Sequence, residues 1–190
     1  MATLAQAKTL GGIGSILVVL SFIPYAGPVL GIVGFVLTLI AVKYISDSID
    51  DKSIFNNMIV AVILGIIGLA IGALVVFASI FRFIGLGFLS GEFGPSFQPS
   101  ELPPGDIIGF IAALAIGLVL FWIFFLISAI FLRRSYNSIA ARLNVGMFRT
   151  AALIYLIGAA LAIILVGFIL IFVAEILQIV AFFSIPEQAP

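Results

Sequence analysis

Long apolar runs alternate along this chain with short polar connectors. The first run extends from Leu10 to Val42, 33 residues without a charge. As one helix it would rise roughly 50 Å, well beyond the roughly 30 Å of a bilayer's hydrocarbon core. Its centre reads SFIPYAGPVLG. Pro24 and Pro28 lack a backbone donor and Gly27 tolerates a left-handed conformation, so this segment predicts a tight turn joining two helices. Two spans follow, near 9–23 and 28–45, with Tyr25 as an aromatic anchor at the turn.

The connector KYISDSIDDKS, Lys43 to Ser53, precedes a third apolar stretch over 54–81. Asp51 or Ser53 is placed to cap it, with acids near the positive end of the helix. Residues 85–106 are rich in glycine, proline and serine and read as an external loop, with Asp106 capping a fourth span over 107–132. The segment 133–149 is a cytoplasmic basic loop. In it, Ile139 and Leu143 stand four apart and predict a short extension of the fourth helix, broken at Asn144–Gly146. The last run, Ala151 to Ile185, is interrupted only by Glu175 and Gln178.

These elements predict an all-α, polytopic integral membrane helical bundle forming a single transmembrane domain. Five spans are expected, the last a long uninterrupted helix over 150–174. The alternative is six spans with a terminal hairpin. It draws on an internal echo in which residues 13–46 can be laid on 157–186 with a four-residue gap at the turn.

Composition supports a membrane setting. Hydrophobic residues make up 64% of the 190 and charged residues 8%, whereas soluble domains carry about 25% charged residues. Eight basic and eight acidic residues cancel, and no basic cluster marks a nucleic-acid footprint. The chain contains no cysteine and no histidine, which removes disulfides, thiolate or imidazole metal sites and histidine acid–base chemistry. No catalytic, cofactor or metal site is therefore expected, and the chain reads as a non-enzyme. Arg133, Arg134, Arg142 and Arg149 lie between spans four and five, and Lys43 and Lys52 between spans two and three. Glu92, Glu101 and Asp106 make the long loop acidic. The excess of Lys and Arg puts the amino terminus in the cytoplasm of a multi-pass plasma-membrane protein.

The segments AKTLGGIGSIL, IPYAGPVLGIVG, AVKYISD, SIFNNMIVAVI and VAEILQIVAFFSIP resemble an archaeal family of small membrane proteins, domain of unknown function 996. The resemblance covers nearly the whole chain. It implies a membrane location and an archaeal source, and carries no functional residues.

Several polar and small residues stand out. Asp47, Asp50 and Asp51 offer three carboxylates within five residues, but not at EF-hand spacing, and read as caps. Asn56 and Asn57 head a membrane helix, where amides join neighbouring helices. Gly68 and Gly72 form a GxxxG pair suited to close helix approach or self-association. Arg133 and Arg134 are the topology signal or contacts for anionic lipid. Glu175 is the one ionisable residue deep in the last run. With an uninterrupted last helix it reaches the same outer boundary as Arg82, and the two are expected to pair. The expected role is an accessory or organising subunit of a membrane complex. Its partners are lipid and other proteins, or a second copy, met through the glycine faces. The alternative is a small transporter or channel for ions or small solutes.

Overall fold

The computed structural model describes residues 3–90 and 104–187, excepting the side chains of 82–90 and 104–107. The described residues form six α-helices: α1 Leu4–Val19, α2 Gly27–Ser48, α3 Lys52–Ser90, α4 Pro104–Leu143, α5 Gly146–Leu161 and α6 Gly167–Phe183. Five helices are long and apolar enough to cross a membrane, and α6, at 17 residues, is a shorter apolar helix. The all-α bundle expected from the sequence is the fold.

The single long last helix is not observed. α5 ends in a 3-10 turn, Ala162–Ile164, and Leu165 takes a left-handed conformation with φ 65°. The chain then reverses into α6. The reason is a close contact between the arms: Gly158 and Gly167 let them touch backbone to backbone. A Cβ on Gly158 would lie 2.9 Å from the Gly167 carbonyl oxygen. The terminal hairpin, the alternative reading, is what forms.

The first hairpin uses the same sequence of elements. α1 and α5 both have 16 residues, each is followed by a three-residue 3-10 turn, and one left-handed residue stands between each 3-10 turn and the next helix. In the first hairpin that residue is Tyr25, φ 67°, and not Gly27. Gly27 serves a different need, since a Cβ there would collide with the Ser21 carbonyl. Pro28 follows in the first turn of α2, where its missing donor costs nothing. The architecture repeats but the packing register does not: Gly14 abuts Gly34 and Thr38, whereas Gly158 abuts Gly167 and Ile171.

The expected boundaries shift elsewhere too. α3 runs through Ser90 and α4 starts at Pro104, so helix enters both ends of the expected loop 85–106, whose centre lies outside the described residues. Asp106 sits within the first turn of α4. The stretch 133–149 is helical except for Asn144 and Val145, with Asn144 left-handed at φ 55°.

Two compact units are distinguished by their contacts. The first, Met1–Leu64 with Leu126–Pro190, has its core where α1, α2, the start of α3, the end of α4, α5 and α6 meet. Tyr136, Phe148 and Phe182 stack edge to face at 5.4 and 5.1 Å. Within this unit, the head of α3 is tied to α4 by two hydroxyls that donate to backbone carbonyls, Ser135 to Ile54 at 2.8 Å and Ser128 to Ala61 at 2.7 Å. The second unit, Gly65–Phe125, is an antiparallel helix pair in which Gly68 faces Phe124 and Gly72 faces Phe121.

The helix heads are capped as their sequence dictates. Thr3 and Gln6 form a reciprocal capping box on α1. Asp51 caps α3, accepting from the Ser53 N–H at 3.1 Å and the Ser53 hydroxyl at 2.6 Å, and its second oxygen meets Arg142 Nε at 3.2 Å. These donors, led by the Ser53 hydroxyl, hold the Asp51 carboxyl below its ordinary value of 3.8.

Two predictions follow from this packing. Gly14→Leu lowers unfolding stability in detergent by about 1–3 kcal/mol, because the side chain meets backbone on α2, whereas Gly109→Ala, with open space around it, does not destabilise; thermal unfolding checks both. Asp51→Ala costs about 1 kcal/mol at neutral pH. Because the folded carboxyl is held below its ordinary value, the stabilisation is present above that value and is lost as pH falls through the lowered one. Stability curves of wild type and Asp51→Ala therefore converge in acid.

Candidate functional site

The inward face of α6 carries Ala174, Gln178, Ala181 and Phe182, spaced as one helical stripe. Gln178 is the polar member, and in apolar surroundings its amide must find partners. The carbonyl oxygen accepts from the Tyr136 hydroxyl at 2.8 Å, and the amide nitrogen donates to Ser15 Oγ at 2.9 Å. One side chain thereby joins α6 to α4 and α1. All three residues are buried. The close approach of α1 to α6 depends on Gly11, where any Cβ would enter the Phe182 ring.

Glu175 lies one turn before Gln178. It is the middle residue of α6, roughly 12 Å from either end. Its Oε2 is buried and has no hydrogen-bond partner among the described residues, and neither of the two ion pairs, Lys43–Asp47 and Asp51–Arg142, involves it. Tyr136 on α4 and Tyr155 on α5 are both near enough for its charge to act on them. A second buried oxygen without a partner is Thr38 Oγ1 on α2. It packs against Gly14, the residue before Ser15, at 2.8 Å from where a Cβ on that glycine would stand.

The middle of α6 therefore holds one carboxylate and one amide, the amide bonded to hydroxyls from α1 and α4. Every donor atom that could face a ligand is oxygen. Such a set can hold a proton on the carboxylate or a hard cation among the oxygens.

Of the residues singled out in the sequence, Glu175 belongs to this site. Its expected pairing with Arg82 is withdrawn, since it required the uninterrupted last helix; the Arg82 side chain lies outside the described residues. Pro24, Gly27 and Pro28 build the first turn. Asn56 is exposed and Asn57 half-buried at the head of α3, apart from the polar chain. Gly68 and Gly72 are occupied by Phe124 and Phe121 of the same chain. Arg134 lies 5.1 Å over the Phe131 ring, while Arg133 Nε and Asn137 Oδ1, one turn apart on α4, are buried without partners. In the acidic connector, Asp47 pairs with Lys43 at 3.3 Å and Asp51 with Arg142, and Asp50 adopts φ 51° in the turn. Each of the two paired carboxylates already has a cation of its own.

Sequence reasoning missed Tyr136, Ser15 and Tyr155. Gln178 carried a signal, a second polar residue three positions after Glu175 in an otherwise apolar run. The hydroxyl residues carried none, because serine, threonine and tyrosine are ordinary in apolar helices.

Comparison with known proteins agrees with the archaeal resemblance. The chain is 37% identical over 186 residues to an uncharacterized protein of Methanocaldococcus jannaschii, an alignment covering 97% of this chain and 94% of that protein. No solved structure matches. Residues 30–176, which begin just after the first turn, include the second turn and Glu175 and stop short of Gln178, match the protein family of unknown function DUF996. With a family match over most of its length and a relative aligned nearly end to end, the chain belongs to the DUF996 family.

Proposed function

We propose that this is a multi-pass, non-catalytic protein of the archaeal plasma membrane that acts as a small transporter for ions or small solutes. One observation carries the reading: an ionisable residue sits at the middle of an apolar helix with its Oε2 buried and unpartnered, beside a polar chain linking three helices. Charge placed in a membrane interior is costly and marks ion or substrate paths. Helices paired as hairpins of like direction, with a site between them, are a recurrent transporter plan.

The distribution of charge supports the orientation. Phe22 meets Phe172 at 5.3 Å, and Gly11 faces Phe182, so α1 and α6 are antiparallel and the turns 20–26 and 162–166 share one end of the first unit. Those turns contain no charged residue, while Lys43, Lys52, Arg142 and Arg149 flank the connectors at the opposite ends of these helices. The basic end faces the cytoplasm under the positive-inside rule.

An accessory or organising subunit of a membrane complex is the second reading, favoured by the second unit. The apolar part of α3 alone spans 30 residues, roughly 45 Å, and Leu74, Phe77 and Phe81 are each about 70% exposed. Such a length exceeds the hydrocarbon core and is suited to cover by another membrane protein or a second copy.

Purified protein in liposomes is expected to pass protons or alkali cations, and Glu175→Gln to lower that flux at least about tenfold. Flux that survives Glu175→Gln removes the residue from the mechanism. Absence of any flux, together with a partner recovered at fixed ratio from native membranes, selects the accessory reading. For orientation, Tyr25→Cys, at a fully exposed turn position, is expected to react with a membrane-impermeant maleimide added outside intact cells, and Ser48→Cys only after permeabilisation. The reverse pattern overturns the proposed sidedness.

A further inference from the structure

The arginines of α4 differ in how they are held. Arg142 meets Asp51 at 3.2 Å, and Arg134 lies 5.1 Å over the Phe131 ring. Arg133 has neither kind of contact among the described residues: its Nε is buried without a hydrogen-bond partner, and the two ion pairs are Lys43–Asp47 and Asp51–Arg142. One turn further along, Asn137 Oδ1 is also buried and unpartnered. Residues four apart are neighbours on one helix face, so a buried donor and a buried acceptor stand side by side without bonding to each other. Both residues are half-buried as a whole, which leaves part of each side chain reachable from outside the bundle.

Their place on α4 sets what can reach them. Ser135 donates to the Ile54 carbonyl and so faces α3. Arg133 and Asn137 are each two residues from it, about 200° around the helix, on the side away from α3. Tyr136, between them, is committed to Gln178. Arg133 is also the first charge after the uncharged run 107–132, where the helix leaves the hydrocarbon at its basic end. A guanidinium is charged at every ordinary pH and only donates. A bound water can bridge Arg133 Nε and Asn137 Oδ1, but it brings no negative charge to the edge of an apolar run. A phosphate does, and two of its oxygens match the planar edge of the guanidinium. Asn137 Oδ1 accepts, so it needs a donor on the same ligand. A phosphate beside a hydroxyl is the chemistry of a phospholipid with a polyol headgroup, and basic pockets on the cytoplasmic side of membrane helices bind anionic headgroups.

We infer that Arg133 and Asn137 form a binding site for one anionic phospholipid of the cytoplasmic leaflet, in which the Arg133 guanidinium takes the phosphodiester and Asn137 Oδ1 accepts from a headgroup hydroxyl. The site does not use Glu175 and needs no transport, so it stands whichever role the protein has. It separates two adjacent arginines: Arg133 recognises the lipid, while Arg134, exposed and laid on Phe131, adds only general attraction. It also separates headgroups of equal charge. Phosphatidylglycerol offers a hydroxyl beside its phosphodiester, and phosphatidylethanol, with the same phosphodiester charge, offers none.

The test is native mass spectrometry of the full-length protein in mild detergent, titrated with phosphatidylglycerol, phosphatidylethanol or phosphatidylcholine. Wild type is expected to bind phosphatidylglycerol about fivefold more tightly than phosphatidylethanol, the effect of one neutral hydrogen bond, and zwitterionic phosphatidylcholine more weakly than either. Arg133→Gln is expected to weaken phosphatidylglycerol binding about tenfold, and Arg134→Gln, the same change in charge, by no more than about twofold. Asn137→Leu brings phosphatidylglycerol down to the level of phosphatidylethanol. The headgroup comparison in wild type needs no substitution and holds whether or not a variant folds. Equal affinity of wild type for phosphatidylglycerol and phosphatidylethanol, or equal losses in Arg133→Gln and Arg134→Gln, overturns the inference. Glycerol phosphate, added as a water-soluble competitor at the lipid's own concentration, is expected to leave the lipid bound; displacement would assign the site to a free phosphate ester and overturn the lipid as its ligand.

Discussion

Polar groups inside an apolar bundle must satisfy one another, and Gln178 is where this protein meets that demand. Its amide has donors and acceptors that neither lipid nor an aliphatic core can fill. Because it sits on the inward stripe of α6, its partners have to arrive on other helices, and they do: Tyr136 on α4 and Ser15 on α1. This fixes more than one contact. Tyr136 is held where its ring meets Phe148, Phe148 in turn meets Phe182, and Phe182 occupies the space that Gly11 leaves open. The tie between hairpins and the aromatic core beneath it are one continuous packing arrangement.

The same rule accounts for other polar groups of the first unit. Ser128 and Ser135 give their hydroxyls to carbonyls of α3, seven residues apart on both helices, so two weak contacts set an antiparallel register. Asp51 turns outward to Ser53 and Arg142 at the polar end. Four buried polar atoms are left without partners among the described residues: Thr38 Oγ1 on α2, Arg133 Nε and Asn137 Oδ1 on α4, and Glu175 Oε2 on α6. Glu175 lies one turn from the three-helix tie on α6, and that position makes the region a candidate site in addition to a structural joint.

Much of the architecture was legible in the sequence because membrane-type helices declare themselves by apolar length. The all-α class, the reversal at Pro24–Pro28, the capping role of Asp51 and the break at Asn144 all follow from local chemistry. The second reversal was hidden. Residues 162–166, AIILV, contain neither proline nor glycine, and Leu165 adopts a left-handed conformation that β-carbon sterics disfavour. That turn is held by the close backbone approach of Gly158 and Gly167, a tertiary effect that no local pattern announces. The site was legible only in part for a related reason. Glu175 and Gln178 interrupt an apolar run and are visible as such, but Ser15, Tyr136 and Tyr155 become significant only when folding brings α1, α4 and α5 to α6. The glycine pair Gly68 and Gly72 illustrates the converse: a clear motif whose contacts are to phenylalanines of the same chain.

Everything in this account depends on the terminal hairpin returning Gln178 to Ser15. Because the native chain has no cysteine, a pair introduced at Ser15→Cys and Gln178→Cys reports that contact without background. Mild oxidation in native membranes is expected to give an intramolecular disulfide in high yield. A control pair joining the exposed Ile13→Cys to Gln178→Cys should form little. Equal, low crosslinking of both pairs would contradict the contact between α1 and α6, and with it the hairpin, the polar chain and the site built on them.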